Sequence, residues 1–95
     1  PNNGQIDALA LQLDGTIFVG GAFSTFNGVT RTALAKLETS GSLNTAFTTV
    51  IGVPATVNDI VIQTDGRILI GGDFRGVNES FRDGVARLNA DGSTD

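Results

Sequence analysis

Two stretches of this sequence decide its fold: IDALALQLDGTIFVGG at Ile6–Gly21 and VNDIVIQTDGRILIGG at Val57–Gly72. Each contains an apolar run, an Asp-Gly pair and a second apolar run that ends in two glycines. An Asp-Gly pair between apolar runs is a strong hairpin signal, because a type I′ turn needs positive φ at both central residues. Each stretch therefore predicts two antiparallel strands, joined by a type I′ turn at Asp14-Gly15 or at Asp65-Gly66.

The two hairpins belong to a longer internal repeat. Residues 6–44 align without a gap with residues 57–95 at an offset of 51, and 13 of the 39 pairs are identical. A repeat of roughly 20–50 residues is the signature of solenoids, propellers and other arrays. The sequence therefore predicts two copies of one structural unit, residues 1–51 and residues 52–95.

Both units are predicted to contain strands only. No stretch combines helical periodicity with a capping residue at its start. The fold class is therefore all-β, with antiparallel strands. The predicted strands are 6–13, 16–22, 33–38 and 46–51 in the first unit, and 57–64, 67–72 and 84–89 in the second.

The predicted strands are apolar on both faces. In the strand 57–64, strict alternation places Val57 and Val61 on one face, and Ile60 and Ile62 on the other. Antiparallel sheets with two apolar faces must be covered on both sides, as the blades of a β-propeller are. We therefore expect two propeller blades. Their open faces would be covered by other blades of the same parent protein or by copies of this chain closing a ring.

The composition excludes several classes of function. The 95-residue chain contains no cysteine and no histidine, which removes thiolate chemistry and the commonest metal ligand. Its net charge is −4, so nucleic acid is not expected as a partner. No apolar run approaches the roughly 20 residues that span a bilayer, so membrane insertion is not expected. The chain starts at Pro1, which indicates a processed chain or an excised piece.

The motifs of the repeat resemble a known family. They are Gln63-Thr64-Asp65-Gly66, Gly71-Gly72-Asp73-Phe74 and the segment 85–93, which reads VARLNADGS. Together they closely resemble the delta-60 repeat, a β-propeller repeat of large bacterial exported proteins. The resemblance implies a surface or secreted scaffold, and it brings no catalytic residues. Units of that family run on to an outer strand after Gly-Ser-x-Asp, so the second blade is expected to lack this strand.

The repeated glycines and aspartates are predicted to be structural. Phosphate-binding glycine motifs need a helix behind them, and none is predicted, so the glycine pairs are expected where backbones bend or approach closely. Asp91-Gly92-Ser93-Thr94-Asp95 alternates oxygen side chains, but it lacks the distant Glu of a calcium loop and is expected to be a turn. Neither a metal nor a cofactor is expected. The predicted turn and repeat residues are Asp14, Gly15, Gly20, Gly21, Asp65, Gly66, Gly71 and Gly72.

Binding is predicted where the two units differ. Residues 24–32 read STFNGVTRT, whereas their counterparts at 75–83 read RGVNESFRD. A shared framework with varied loops is a common arrangement for binding. Phe26 and Phe81 could be exposed there or pack on the blades. The candidate binding residues are Ser24, Thr25, Phe26, Asn27, Arg75, Asn78, Glu79 and Phe81.

The sequence therefore predicts a non-enzymatic structural or protein-interaction scaffold. The resemblance implies that this scaffold belongs to a larger or oligomeric bacterial protein, at the cell surface or outside the cell. One alternative is a carbohydrate-binding propeller assembled from two-blade chains, although the chain has no Trp or Tyr for stacking on sugars. Another alternative is a fragment of a propeller enzyme whose active site needs further blades. A protein or a glycan could serve as the surface ligand.

Overall fold

The computed structural model describes residues 4–26, 28–52, 55–78 and 80–94. Within these residues the chain forms ten strands and no helix, and hence no helix that could cross a membrane. The strands of the first unit are β1 (Gln5–Leu11), β2 (Ile17–Ala22), β3 (Thr25–Phe26), β4 (Val29–Thr30) and β5 (Leu34–Leu37). Those of the second unit are β6 (Thr56–Ile62), β7 (Ile68–Asp73), β8 (Gly76–Val77), β9 (Ser80–Phe81) and β10 (Val85–Leu88).

Each unit is one antiparallel three-stranded sheet with a small hairpin attached. The sheet orders are β1-β2-β5 and β6-β7-β10. The segment between the second and third strand of each sheet folds into a two-stranded hairpin, β3-β4 or β8-β9. The all-β antiparallel prediction is confirmed. The two small hairpins were not expected, because two-residue strands are too short to show a period of two in the sequence.

The Asp-Gly turns form hairpins, but the predicted turn type is wrong. The Gly15 amide donates to the Gln12 carbonyl and the Gln12 amide donates to the Thr16 carbonyl, which leaves a three-residue loop. Gly15 has φ +90° and Asp14 does not have positive φ. This is a type I turn followed by one left-handed residue, the usual three-residue hairpin loop. Only the glycine needs positive φ there, because the φ of Asp14 is not positive.

The strand predicted at 46–51 does not form. Two of its amides, those of Ala46 and Phe47, donate instead to the side-chain oxygen of Asn44, at 2.9 Å each. Of this segment only Ile51 makes a β-bridge, to Val77 of the second unit. The segment is therefore a connector between the units. Its β-branched composition reflects burial of Ile51 and Thr49 and not pairing with β5.

Both first strands carry a bulge that decides which side chains share a face. The register shifts between Ile6 and Ala8 in β1, and between Val57 and Asp59 in β6. The extra residue moves Val57 to the face of Ile60, so the predicted grouping of Val57 with Val61 is wrong. A sequence pattern with a strict period of two cannot show such an insertion.

At the second glycine of each pair, and not at the first, the backbones approach closely. A Cβ on Gly21 would lie 2.0 Å from the Gln5 carbonyl oxygen, and one on Gly72 would lie 2.1 Å from that of Thr56. These contacts occur beside the two bulges. The second glycine of each pair is therefore required by the bulged strand that passes over it.

The two sheets pack face to face around one core. The face of the second sheet that carries Ile60, Ile68 and Ile70 lies against the first unit, where Phe18 and Leu34 are buried. Val19 and Ala35 lie on the opposite side of the first sheet, in a smaller cluster with Phe23 and Phe26. Each sheet therefore has one face in the shared core and one face directed away from the other unit.

Candidate functional site

The first hairpin, β3-β4, packs on its own sheet through an aromatic pair. The rings of Phe26 and Phe23 meet edge to face, with centroids 5.8 Å apart. Phe26 is only 7% exposed, so it closes the end of the sheet and is not available as a surface contact. Ser24 is exposed and Thr25 half-buried. The surface offered by this hairpin is therefore polar except at Val29, which is 38% exposed.

The second hairpin, β8-β9, keeps the same backbone pattern with different chemistry. Val77 takes the place of Phe26 and is fully buried. Arg75 is exposed at the start of the hairpin, where the first unit has Ser24. Among the predicted binding residues, Asn27, Glu79 and the side chain of Phe81 lie outside the described residues.

Asn78, one of the predicted binding residues, makes three side-chain hydrogen bonds. It adopts φ +51°, a conformation that asparagine tolerates better than most residues. Its side-chain oxygen accepts from the Val50 amide at 2.9 Å. Its side-chain nitrogen donates to the Gly92 carbonyl at 3.0 Å and to the Thr94 hydroxyl at 3.1 Å. Asn78 therefore hydrogen-bonds both to the connector that follows the first unit and to the end of the second unit.

Further bonds complete this junction, which we name the connector clasp (residues 49–52, 76–78 and 92–94). The buried Thr49 hydroxyl donates to the Gly92 carbonyl at 2.9 Å, and the Gly52 amide donates to the Gly76 carbonyl at 3.0 Å. The sequence prediction missed Thr49 because residues 46–51 were assigned to a strand. Thr49 stands between Thr48 and Val50, and nothing in this local sequence distinguishes its buried hydroxyl from that of Thr48.

A polar hollow of about 520 Å³ opens beside the clasp. Its walls are formed by Thr48, Asn78, Ser80, Asp91, Ser93 and Thr94. Most of the polar groups already bond within the protein, since Asp91 accepts from the Ser93 amide at 2.9 Å and from its hydroxyl at 2.6 Å. Four of the six lining side chains, those of Asn78, Asp91, Ser93 and Thr94, therefore hydrogen-bond within the protein.

Three aspartates in equivalent turns have lowered pKa values. The Thr16 hydroxyl and amide hold the pKa of Asp14 below its ordinary value, and the Ser93 hydroxyl and amide do the same for Asp91. For Asp65 the largest cause of the lowered pKa is the Arg67 amide, followed by the Arg67 guanidinium 2.5 Å away. The carboxylates therefore serve the turns as acceptors. No cluster of three or more acidic, histidine or cysteine side chains able to hold a metal occurs in the described part of the chain.

The basic residues Arg31 and Lys36 recur in the second unit as Arg82 and Arg87. Arg31 donates to the carbonyl oxygens of Thr30 and Thr45. Lys36 lies over the ring of Phe18, with its Nζ 5.4 Å from the centroid. The ion pair of Asp65 is formed with Arg67, which is two residues along the same turn and is not part of the repeated set.

Comparison with known families agrees with the two-unit architecture. A family model described as "Domain of unknown function (DUF5122) beta-propeller" matches residues 12–47 and 63–95. The two matched segments correspond to the two units, and together they cover most of the chain. The chain therefore belongs to this β-propeller family, and its two sheets are blades of antiparallel strands. No curated protein and no solved structure matches the chain significantly.

Proposed function

We propose that this pair of blades is a non-enzymatic scaffold, a structural and protein-interaction part of a larger or oligomeric protein. The observation that carries the proposal is that the two small hairpins share one backbone arrangement but carry different side chains. Thr25 faces Thr30 in the first hairpin, whereas Gly76 faces Phe81 in the second. Framework positions such as the Asp-Gly turns are the same in both units.

The charge of the two loops supports separate binding roles. The segment 24–32 contains one charged residue, Arg31, whereas the segment 75–83 contains two arginines and two acidic residues. Side chains that hold a repeat together recur in every copy, whereas those that contact a partner are free to differ. The resemblance to the delta-60 repeat supports a bacterial surface or extracellular location as part of this proposal.

A loop exchange tests the scaffold proposal. In one variant, residues 24–32 are replaced by the sequence of 75–83 except at the buried Phe26, which is kept, and a library of displayed peptides is selected against the unsubstituted chain. We expect selected peptides to perturb amide NMR signals within 24–32 or 75–83. Peptides that map to the first loop should lose affinity for the exchanged variant, whose circular dichroism stays unchanged.

Two results would contradict the proposal. One is a set of peptides that all map to the Asp-Gly turns. The other is turnover of ester, glycoside or phosphate substrates by the purified chain.

Carbohydrate binding is a second candidate, supported by the hydroxyl-lined hollow beside the clasp. A glycan array tests it, with Asp91→Asn and Thr48→Val as variants in the hollow. Binding that these variants abolish would favour the second candidate over the first.

A further inference from the structure

The two blades fit together through side chains that occupy the space over a glycine. Val57 and Ile60 of β6 lie directly over Gly20 of β2. A Cβ on Gly20 would lie 2.7 Å from Val57 Cγ1 and 3.1 Å from Ile60 Cδ1. The missing side chain at Gly20 therefore admits two apolar side chains from the next blade.

Residues equivalent to Val57, Ile60 and Gly20 also lie on the two outer faces of the blade pair. The repeat equivalents of Val57 and Ile60 are Ile6 and Leu9, which are 43% and 67% exposed. The equivalent of Gly20 is Gly71, where a Cβ would meet only the Gly84 carbonyl oxygen, at 3.8 Å. An apolar hollow of about 240 Å³ opens over Gly71. Asp59, Val61, Leu69, Ile70 and Val85 form its other walls.

The rest of each outer face follows the same equivalence. On the first blade, Leu9 pairs with Val19 across the strands, as Ile60 pairs with Ile70 in the shared core. On the second blade, Val61 pairs with Leu69, as Ala10 pairs with the buried Phe18. The outer face of the first blade thus corresponds to the packed face of the second blade. The outer face of the second blade likewise corresponds to the packed face of the first blade.

We infer that a second copy of this chain binds at the hollow, with its Ile6 and Leu9 over Gly71. This inference deepens the proposed scaffold function, because it names the partner through which the scaffold grows. The contact uses two different patches on each copy and is therefore heterologous. Such contacts close into rings when the rotation allows and otherwise give open filaments.

Mass measurement of the parent chain and two variants tests the inference. Leu9→Lys removes the inserted side chain, and Val61→Lys places a charge on the wall of the hollow. Both positions are exposed, so the variants should fold, which circular dichroism checks. Val50→Lys, at an exposed apolar residue of the connector, is the matched control. We expect native mass spectrometry and sedimentation to show oligomers for the unsubstituted chain and for Val50→Lys. Leu9→Lys and Val61→Lys, each measured alone, should be monomers.

Mixing the two face variants decides between a heterologous contact and other kinds of contact. Leu9→Lys retains an intact hollow and Val61→Lys retains intact Ile6 and Leu9, so an equimolar mixture should form a 1:1 dimer. A parent chain that stays monomeric, or variants that associate alone as the parent does, would overturn the inference. Those results would leave the loop-exchange test of the scaffold proposal unaffected, because that test reads ligand contacts at the hairpins.

Discussion

At the scale of single residues, the described part of the chain contains the same turn four times. In each turn a glycine amide donates to the carbonyl three residues earlier: Gly15 to Gln12, Gly41 to Glu38, Gly66 to Gln63 and Gly92 to Asn89. All four glycines have φ close to +90°. Three of the four turns place an aspartate before the glycine, and its carboxylate accepts from the amide two residues ahead. The fourth has Ser40, whose hydroxyl takes that place.

Replacing Gly66 by valine tests the need for positive φ. A Cβ on Gly66 would find only the Cβ of Ala90, at 4.0 Å, so space is not limiting. The φ of +88° remains, and we expect a loss of about 1–2 kcal/mol in the free energy of unfolding. Urea denaturation measures it. Gly66→Asn is the control and should cost clearly less, since asparagine tolerates this conformation; equal losses for both variants would contradict the strain argument.

The lowered pKa values of Asp14, Asp65 and Asp91 predict a loss of stability in acid. Folding lowers each pKa, so the ionised carboxylates stabilise the folded state above the ordinary aspartate value of about 3.9. That stabilisation declines as the pH falls through the lower folded-state pKa values. Melting temperatures between pH 7 and pH 2.5 should therefore fall in acid. The triple variant with asparagine at these positions should show a flatter profile, and a profile as steep as the parent's would contradict the assignment.

At the scale of elements, the connector clasp joins the end of one blade to the next. The Asn78 side chain bonds to the connector at Val50 and to the end of the second blade at Gly92 and Thr94. The Ile51–Val77 bridge continues this contact into β8. The segment 46–51, predicted as a fourth strand of the first blade, thus bonds to the second blade.

Asn78→Ala should therefore destabilise the chain. It leaves the Val50 amide and the Gly92 carbonyl without this partner, at a cost of about 1–3 kcal/mol. Asn78→Gly loses the same bonds but relieves the φ of +51°, and it should be the less harmful variant. Urea denaturation ranks the variants, and hydrogen exchange at the Val50 amide should accelerate in both. Unchanged exchange at Val50 would argue against the clasp.

Gly20 and Gly71 offer a matched pair of substitutions at equivalent positions. Gly20→Ala places a Cβ 2.7 Å from Val57 Cγ1 in the shared core, and overpacking of this kind costs about 1–3 kcal/mol. Gly71→Ala meets only the Gly84 carbonyl oxygen at 3.8 Å and should leave the stability of the fold unchanged within about 0.5 kcal/mol. Thermal and urea denaturation in dilute solution compare them, and equal effects would contradict the packing described.

At the scale of the whole molecule, one core joins the two blades. Phe18 of the first blade is fully buried and packs on the connector through Phe47, with ring centroids 5.0 Å apart. Its cluster also contains Ile60, Ile68 and Ile70 of the second blade. Each blade contributes its inner face to this one shared core. The two blades should therefore unfold together.

Phe18→Ala tests this coupling. The large buried ring makes a loss of about 3–5 kcal/mol the expected result. Hydrogen exchange should show protection falling by the same factor in β2 and in β7, because Phe18 of β2 shares one buried cluster with Ile68 and Ile70 of β7. Loss of protection confined to the first blade would indicate that the blades unfold independently. Phe26→Leu, in the smaller outer cluster, is the control and should affect β2 more than β7.

The sequence by itself determined the repeat, the all-β class, the hairpin positions and the glycines of the turns. These features are local: a glycine at positive φ or a run of β-branched residues needs no distant partner to be recognised. The propeller class also followed from sequence, because two apolar faces on short antiparallel strands require neighbours on both sides.

Only the tertiary structure decided which apolar residues meet. The bulges in β1 and β6 moved Val57 to the face of Ile60, and an extra residue in a strand leaves no mark on the composition. The segment 46–51 became a connector because Asn44 and Asn78 supply side-chain partners for its amides. Such bonds join positions up to 28 residues apart, and only the folded chain brings them within reach.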